Sequence, residues 1–248
     1  VDDALVQLEN LEFRQFLDES FLAMIARSPQ TIISLGIEEE VDLNTMSLDD
    51  ISDAYQRDTQ ALERGILDLL RTYDRESLPA DEQRFYDVYE WYLDDIVRGH
   101  AFYLYDFPVS FFITSVNFNT ENFFTEIHPL ETLEDAQDYL TRLTFVESTF
   151  QQAMENVALR ADAGIIPAQS VIQWTINALS RITNVSATQT PYYIAFDEKI
   201  NDIPNIDDAL SGAMRDDIAG IIESTVQPAY RALIDFMTTL QNNAPQQT

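Results

Sequence analysis

Apolar residues recur three and four positions apart along almost the whole chain. From Asp208 to Gln241 they fall at Leu210, Met214, Ile218, Ile221, Thr225, Ala229, Leu233, Phe236 and Leu240, a seam along one helix face. At 1.5 Å per residue such a helix would run roughly 50 Å, unless Pro228 kinks it. The same period places a helix over Leu11–Ala26, stopping near Pro29. A second is predicted from Ser47, with Asp50 in a capping-box relation and a stripe from Ile51 to Tyr73. A third takes Ser77 as N-cap and Pro79 in its first turn, with Phe85, Val88, Tyr89, Tyr92, Ile96 and Tyr103 as its inner face.

Between Asp106 and Glu131 the period fails, and "DFPVSFFITSVNFNTENFFTEIHPLE" reads as a long ordered loop with short turns. Thr132 and Asp135 then form a capping box, opening a helix predicted to run through Ala163 with Gly164 as its C-cap. Another helix follows Pro167, and "NVSATQTPYYIAFDEKINDIPN" reads as loop and a short helix. The closing "QNNAPQQT" reads as a polar linker. The fold class is therefore all-α, a bundle of long antiparallel helices with a long ordered loop at about 106–131, forming one domain over residues 1–248. Scarce glycine (6) beside 15 Phe and 11 Tyr fits packed helices better than a turn-rich β protein.

Charge narrows the partners. The chain carries 43 acidic and 14 basic residues, a net −29, and Lys199 is its single lysine. Nucleic-acid binding needs a basic footprint, and anionic membrane surfaces repel such a chain, so neither is an expected partner. No apolar run approaches the roughly 18 residues of a membrane span. The absence of cysteine excludes disulfides, thiolate catalysis and Cys–zinc sites. The chain opens on valine without a signal peptide, as expected of a processed mature chain or a trimmed one.

No catalytic motif is complete. The two histidines, His100 and His128, stand in neither an H-E-x-x-H nor an E-x-x-H pattern, the spacings that bring helical ligands onto one metal. Pro129 prevents a helix from running through His128, which is expected to end the loop and lead into the Thr132-capped helix. Glu90, Asp94, Asp95 and Arg98 read as a solvated helix ladder, the alternative being a buried acid–base pair steered by the arginine. No catalytic residue and no metal ligand is assigned.

Several blocks occur in one colinear series: "NLEFRQFLDESFLAMIARSPQTIISLGI", "YDVYEWYLDDIVRGHAF", "YDFPVSFF", "FFTEIHPLETLEDAQDYLTRL", "ADAGIIPAQSVIQW" and "VQPAYRALIDFM". The series resembles the N-terminal half of the bacterial domain-of-unknown-function family 885, whose members look like exported, often lipid-anchored, all-helical zinc metallopeptidases. In that family an H-E-x-x-P-G-H zinc motif lies in the C-terminal half, and this chain ends before it. The resemblance implies the N-terminal helical portion of an extracytoplasmic peptidase-like protein, inactive alone, with zinc held only by the C-terminal half. That half is the implied partner and a peptide the implied substrate. Tyr105, His128 and Arg142 lie in the family-like blocks and are expected to line the substrate cleft. The alternative is a free-standing, non-catalytic helical binding or scaffold module. A face turned toward a further half would leave Phe111, Phe112, Phe118, Phe123 and Phe124 incompletely buried.

Overall fold

The computed structural model describes residues 1–38 and 45–245. Its helices are, in chain order, α1 (Asp2–Leu8), α2 (Phe13–Ile25), α3 (Pro29–Leu35), α4 (Asp53–Leu70), α5 (Ala80–Gly99) and α6 (Val116–Asn122). They continue as α7 (Leu133–Leu143), α8 (Val146–Asp162), α9 (Gln169–Thr183), α10 (Pro191–Ile200), α11 (Asp208–Ile221) and α12 (Gln227–Gln241). The protein is all-α, with no strand among the described residues. The polar tail predicted from Gln241 onward falls partly outside them, at 246–248.

Two compact units divide the chain, residues 1–28 with 50–106 and residues 29–49 with 107–248. In the first, α1, α2, α4 and α5 close on Leu8, Phe13, Phe16, Leu62, Ile66, Leu67, Leu70 and Leu93. Each such side chain taken from water contributes about 1.5–3 kcal/mol. The phenol of Tyr73 packs edge-on to Phe13 and donates to the carbonyl of Leu11 at 2.8 Å, so its half-buried ring joins the core with its hydroxyl satisfied.

Two helix starts differ from the sequence reading. The α4 N-cap is Ser52, five residues beyond the predicted Ser47, and its hydroxyl accepts the Tyr55 amide. Asp50 is spent on the Ser52 amide in a local turn, which delays the helix. For α5 the carboxylate of Asp74 caps a 3-10 turn over Arg75–Ser77. Leu78 is then extended (ψ 150°), as a residue before proline prefers, and Pro79 becomes the N-cap.

The buried face of α5 also differs. Tyr86, Tyr89, Leu93 and Val97 face the core, whereas Phe85, Val88 and Tyr92 are exposed. The helix carries two apolar stripes about a hundred degrees apart. Its inward side is chosen by the neighbours, not by its own period.

In the second unit α12 packs along α9 and α8. The segment predicted as one helix from Asp208 to Gln241 widens into a π turn at Ile222–Val226, where the Gln227 amide donates to Ile222. Pro228 supplies no amide hydrogen and would crowd the carbonyl four residues back, so the wider turn absorbs the mismatch. The segment predicted from Thr132 to Ala163 likewise breaks at Thr144–Phe145 into α7 and α8. It ends at Gly164, whose φ of +80° suits glycine.

The predicted loop at 106–131 is more regular than its composition suggests. Ser115 caps α6, and a π turn follows at Phe123–Ile127. Phe123 and Phe124 are buried, Phe111 is half-buried, and Phe112 and Phe118 are 50% and 40% exposed.

Candidate functional site

The π turn sets His128. Its last hydrogen bond runs from the His128 amide to the Phe123 carbonyl at 2.8 Å, and Pro129 stops the helix there. The chain then reaches the capping box in which Thr132 Oγ1 accepts the Asp135 amide (3.1 Å) and Asp135 Oδ2 accepts the Thr132 amide (2.8 Å). This junction fixes the direction of α7, so that Arg142, three turns on, returns to the histidine.

His128 is 1% exposed. Its ring stacks on Phe124 (centroids 6.1 Å apart, planes at 9°) and meets the edges of Phe123 and Tyr139. Nε2 lies 2.5 Å from Arg142 Nη1, and Nδ1 lies 2.7 Å from the Pro129 carbonyl. A guanidinium only donates, so Nε2 is the acceptor. Nδ1 therefore carries the proton and donates it to Pro129, and the ring is neutral. Burial pushes the imidazole down to about 4, with the positive charge of Arg142 acting the same way and the Pro129 bond opposing both.

Arg142 is 2% exposed. Besides His128, it donates from Nε to the Thr45 carbonyl at 3.0 Å and pairs with Asp138 at 3.3 Å. Burial lowers its pKa, and Asp138 is the main opposing charge. The three contacts tie α7, the end of the π turn and the segment at Thr45 together.

Two of the three residues expected in a cleft thus meet each other, and both are enclosed. Tyr105 belongs to the first unit, 71% exposed, with its ring edge against Phe102. The Glu90–Asp94–Asp95–Arg98 set lies on the surface, as the ladder reading expects. Arg98 pairs with Asp94 at 3.1 Å and with Asp95 at 2.8 Å. Sequence reasoning missed Arg71, which reaches across from α4 to Glu90 and Asp94 at 2.5 and 2.7 Å. It also missed Glu63, which holds His100 Nε2 at 2.7 Å across a separation of 37 residues. Helical spacing reports only partners within a turn, so neither cross-helix contact leaves a local signal.

The donor set does not fit a zinc ion. Among the described residues no three His, Cys, Asp or Glu side chains converge as ligands would. Both ring nitrogens of His128 are already engaged, one as donor and one as acceptor for Arg142. His100 Nε2 faces the carboxylate of Glu63 and Nδ1 faces Arg64. Neither ring presents a free lone pair to a shared metal position.

A family model described as "Bacterial protein of unknown function (DUF885)" matches residues 29–248. The chain belongs to the DUF885 family. Its fold is shared with a solved structure described as "the putative lipoprotein from Colwellia psychrerythraea", at a TM-score of 0.76 and 16% sequence identity. That match covers 94% of this DUF885 chain and 42% of the other, so the chain spans less than half the length of the protein it matches. No curated protein matches it. No helix among the described residues is long and apolar enough to cross a membrane.

Proposed function

We propose that this chain is the N-terminal helical portion of an exported, zinc-dependent peptidase-like protein, with the metal and the catalytic groups supplied by a C-terminal half. The observation that carries the reading is the asymmetry of the structural match, 94% of this chain against 42% of the longer one. The DUF885 match over residues 29–248 and the description of the longer protein as a lipoprotein support it. So does the exposure of Phe112, Ile113, Phe118 and Trp174 in the second unit, apolar surface suited to cover by further chain.

In this reading residues 1–248 form the N-terminal part of an extracytoplasmic protein acting on peptides. Tyr105, exposed, belongs to the cleft wall. His128 and Arg142, enclosed and fully engaged, are positioning residues that tie the π turn to α7 within the second unit. The chain alone catalyses nothing.

The test compares the 248-residue chain with the polypeptide encoded by the same gene read onward through H-E-x-x-P-G-H. Hydrolysis of a fluorogenic peptide library and zinc in elemental analysis are expected only from the longer polypeptide. A gene that stops after Thr248 would overturn the reading. It would favour the free-standing binding or scaffold module, for which the satisfied polar network around His128 already speaks.

A further inference from the structure

Within the first unit, α4, α5 and the 3-10 turn at His100–Phe102 border an open groove of about 720 Å³. Arg57, Gln60 and Arg64 line it from α4; Arg98, His100 and Phe102 line it from the other side. None of its lining residues is acidic, in a chain with 43 acidic and 14 basic residues. Positions 57, 60 and 64 share one helix face, so the two α4 guanidinium groups leave the helix roughly 10 Å apart along its axis.

The cations around the groove are held in place, but not all are neutralised. Three other arginines of this unit are matched by carboxylates, Arg14 by Asp81 and Glu82, Arg71 by Glu90 and Asp94, Arg75 by Asp87 and Glu76, while Arg27 is held by Thr59 and by the carbonyl and ring of Tyr55. At the groove, Arg57 rests over the Tyr103 ring, 4.3 Å from its centroid, with Asp53 one turn away at 3.4 Å. Arg98 is held by Asp94 and Asp95. Arg64 makes no ion pair among the described residues; its polar contact is with His100 Nδ1, at 3.5 Å.

The acidic neighbour of Arg64 in sequence, Glu63, is turned to His100, whose Nε2 lies 2.7 Å away. That bond orients the imidazole and leaves Nδ1 toward Arg64. An exposed guanidinium without a carboxylate, beside a second held by an aromatic ring, presents a planar fork of donors to an oxyanion. Phe102, 67% exposed, adds an apolar edge.

We propose that this groove binds a small organic oxyanion, a carboxylate or phosphate carried on an apolar body. Arg64 takes the anion in its donor fork, Arg57 and Arg98 flank it, and Phe102 covers the body. The groove volume lies within the range of about 300–1,000 Å³ usual for small-molecule sites. The overall charge of −29 opposes an extended polyanion, whose repulsion accumulates along its length, far more than a compact ligand seated on the guanidinium groups.

Calorimetric titration of the full chain with phenyl phosphate, 3-phenylpropionate and inorganic phosphate, in about 0.1 M NaCl, tests this. Saturable binding of an aryl anion is expected, and whichever aryl anion binds tighter identifies the headgroup as phosphate or carboxylate. Arg64→Gln should weaken it by roughly ten-fold or more, as loss of a charged hydrogen bond does. Phe102→Ala should weaken the aryl ligand alone. Arg84→Gln, an exposed change of the same charge on α5 outside the groove lining, should leave binding unchanged. Absence of saturable aryl binding, binding of inorganic phosphate only, or equal losses from Arg84→Gln and Arg64→Gln would each overturn the proposal.

Discussion

Arg142 Nη1 and His128 Nε2 meet at 2.5 Å inside the second unit. The guanidinium can only donate, so the imidazole accepts there and sends its own proton to Pro129. Arg142 continues to the Thr45 carbonyl, so one arginine side chain joins segments 97 residues apart in sequence. The pair resembles an acid–base dyad in composition, yet its hydrogen bonds hold the fold and leave no site for a substrate proton.

Acid should reveal the pair. The folded pKa of His128 is about 4, below the ordinary value of 6.5. Between those two values the unfolded chain binds more protons, so this contribution is present above pH 6.5 and is lost as pH falls toward 4. Its full size is about 3 kcal/mol. Ring-proton NMR can follow both histidines, and His128 should stay neutral well below pH 6. The difference in urea stability between the natural chain and His128→Gln should shrink over the same window. A His128 ring that titrates near its ordinary value would show that burial does not govern it.

Removing the arginine should cost more than a surface change. Arg142→Met leaves Nε2 of His128, the Thr45 carbonyl and Asp138 without their donor. Breaking one side of a buried charged network typically costs about 3–5 kcal/mol. Arg142→Lys keeps the charge but not the fork, and should fall between the two. Urea unfolding measures both. A near-neutral Arg142→Met would mean that the network adds nothing to stability.

A third expectation concerns the tyrosines behind this network. The hydroxyls of Tyr192 and Tyr230 meet at 2.8 Å, both buried, and burial raises both pKa values far above the ordinary range. Tyr230→Phe strands the Tyr192 hydroxyl, at a cost of about 1–3 kcal/mol. Adding Tyr192→Phe should recover part of that loss, because the stranded group is gone. A double-mutant cycle with no coupling would show that the two hydroxyls do not depend on each other.

What the sequence announces, and what it hides, follows from the range of each signal. Thr132 and Asp135 are legible because a capping box is complete within four residues, and Gly164 because a left-handed C-cap is a property of one position. The inner face of α5 is not legible: Phe85–Val88–Tyr92 and Tyr86–Tyr89–Leu93 are equally good stripes, and only the packing against α2 and α4 selects one. His128–Arg142 and Glu63–His100 depend on separations of 14 and 37 residues, which no helical spacing encodes. The π turn before Pro228 is partly legible, since proline predicts a disturbance but not whether the helix kinks or widens.

Salt should stabilise the fold. A net charge of −29 repels itself in the compact state, and salt screens that repulsion beyond about 10 Å at 0.1 M. The same salt weakens the exposed pairs of Arg14, Arg71 and Arg75, but solvent already screens such pairs and they contribute little. Thermal midpoints should therefore rise from low to moderate NaCl. A fall would mean that local pairing outweighs the net charge.

The apolar surface of the second unit separates the two functional readings most directly. Half-buried Phe111 lies tilted against Phe112 at 4.2 Å and meets Trp174 edge-on at 5.3 Å, so it joins these two exposed rings. Phe118, also exposed, lines a pocket with Phe111, and Ile113, next in sequence to Phe112, is exposed as well. Water in contact with such a patch favours any event that covers it. If the proposed C-terminal half normally covers it, the 248-residue chain alone should self-associate at high concentration in sedimentation experiments and bind an apolar dye such as ANS. Phe112→Ser with Phe118→Ser should reduce both without lowering stability, since both side chains are substantially exposed. The longer polypeptide should show neither behaviour, and hydrogen exchange at Phe112, Phe118 and Trp174 should be slower in it. A short chain that stays monomeric and dye-free would count for the free-standing module, because its exposed rings would then need no cover.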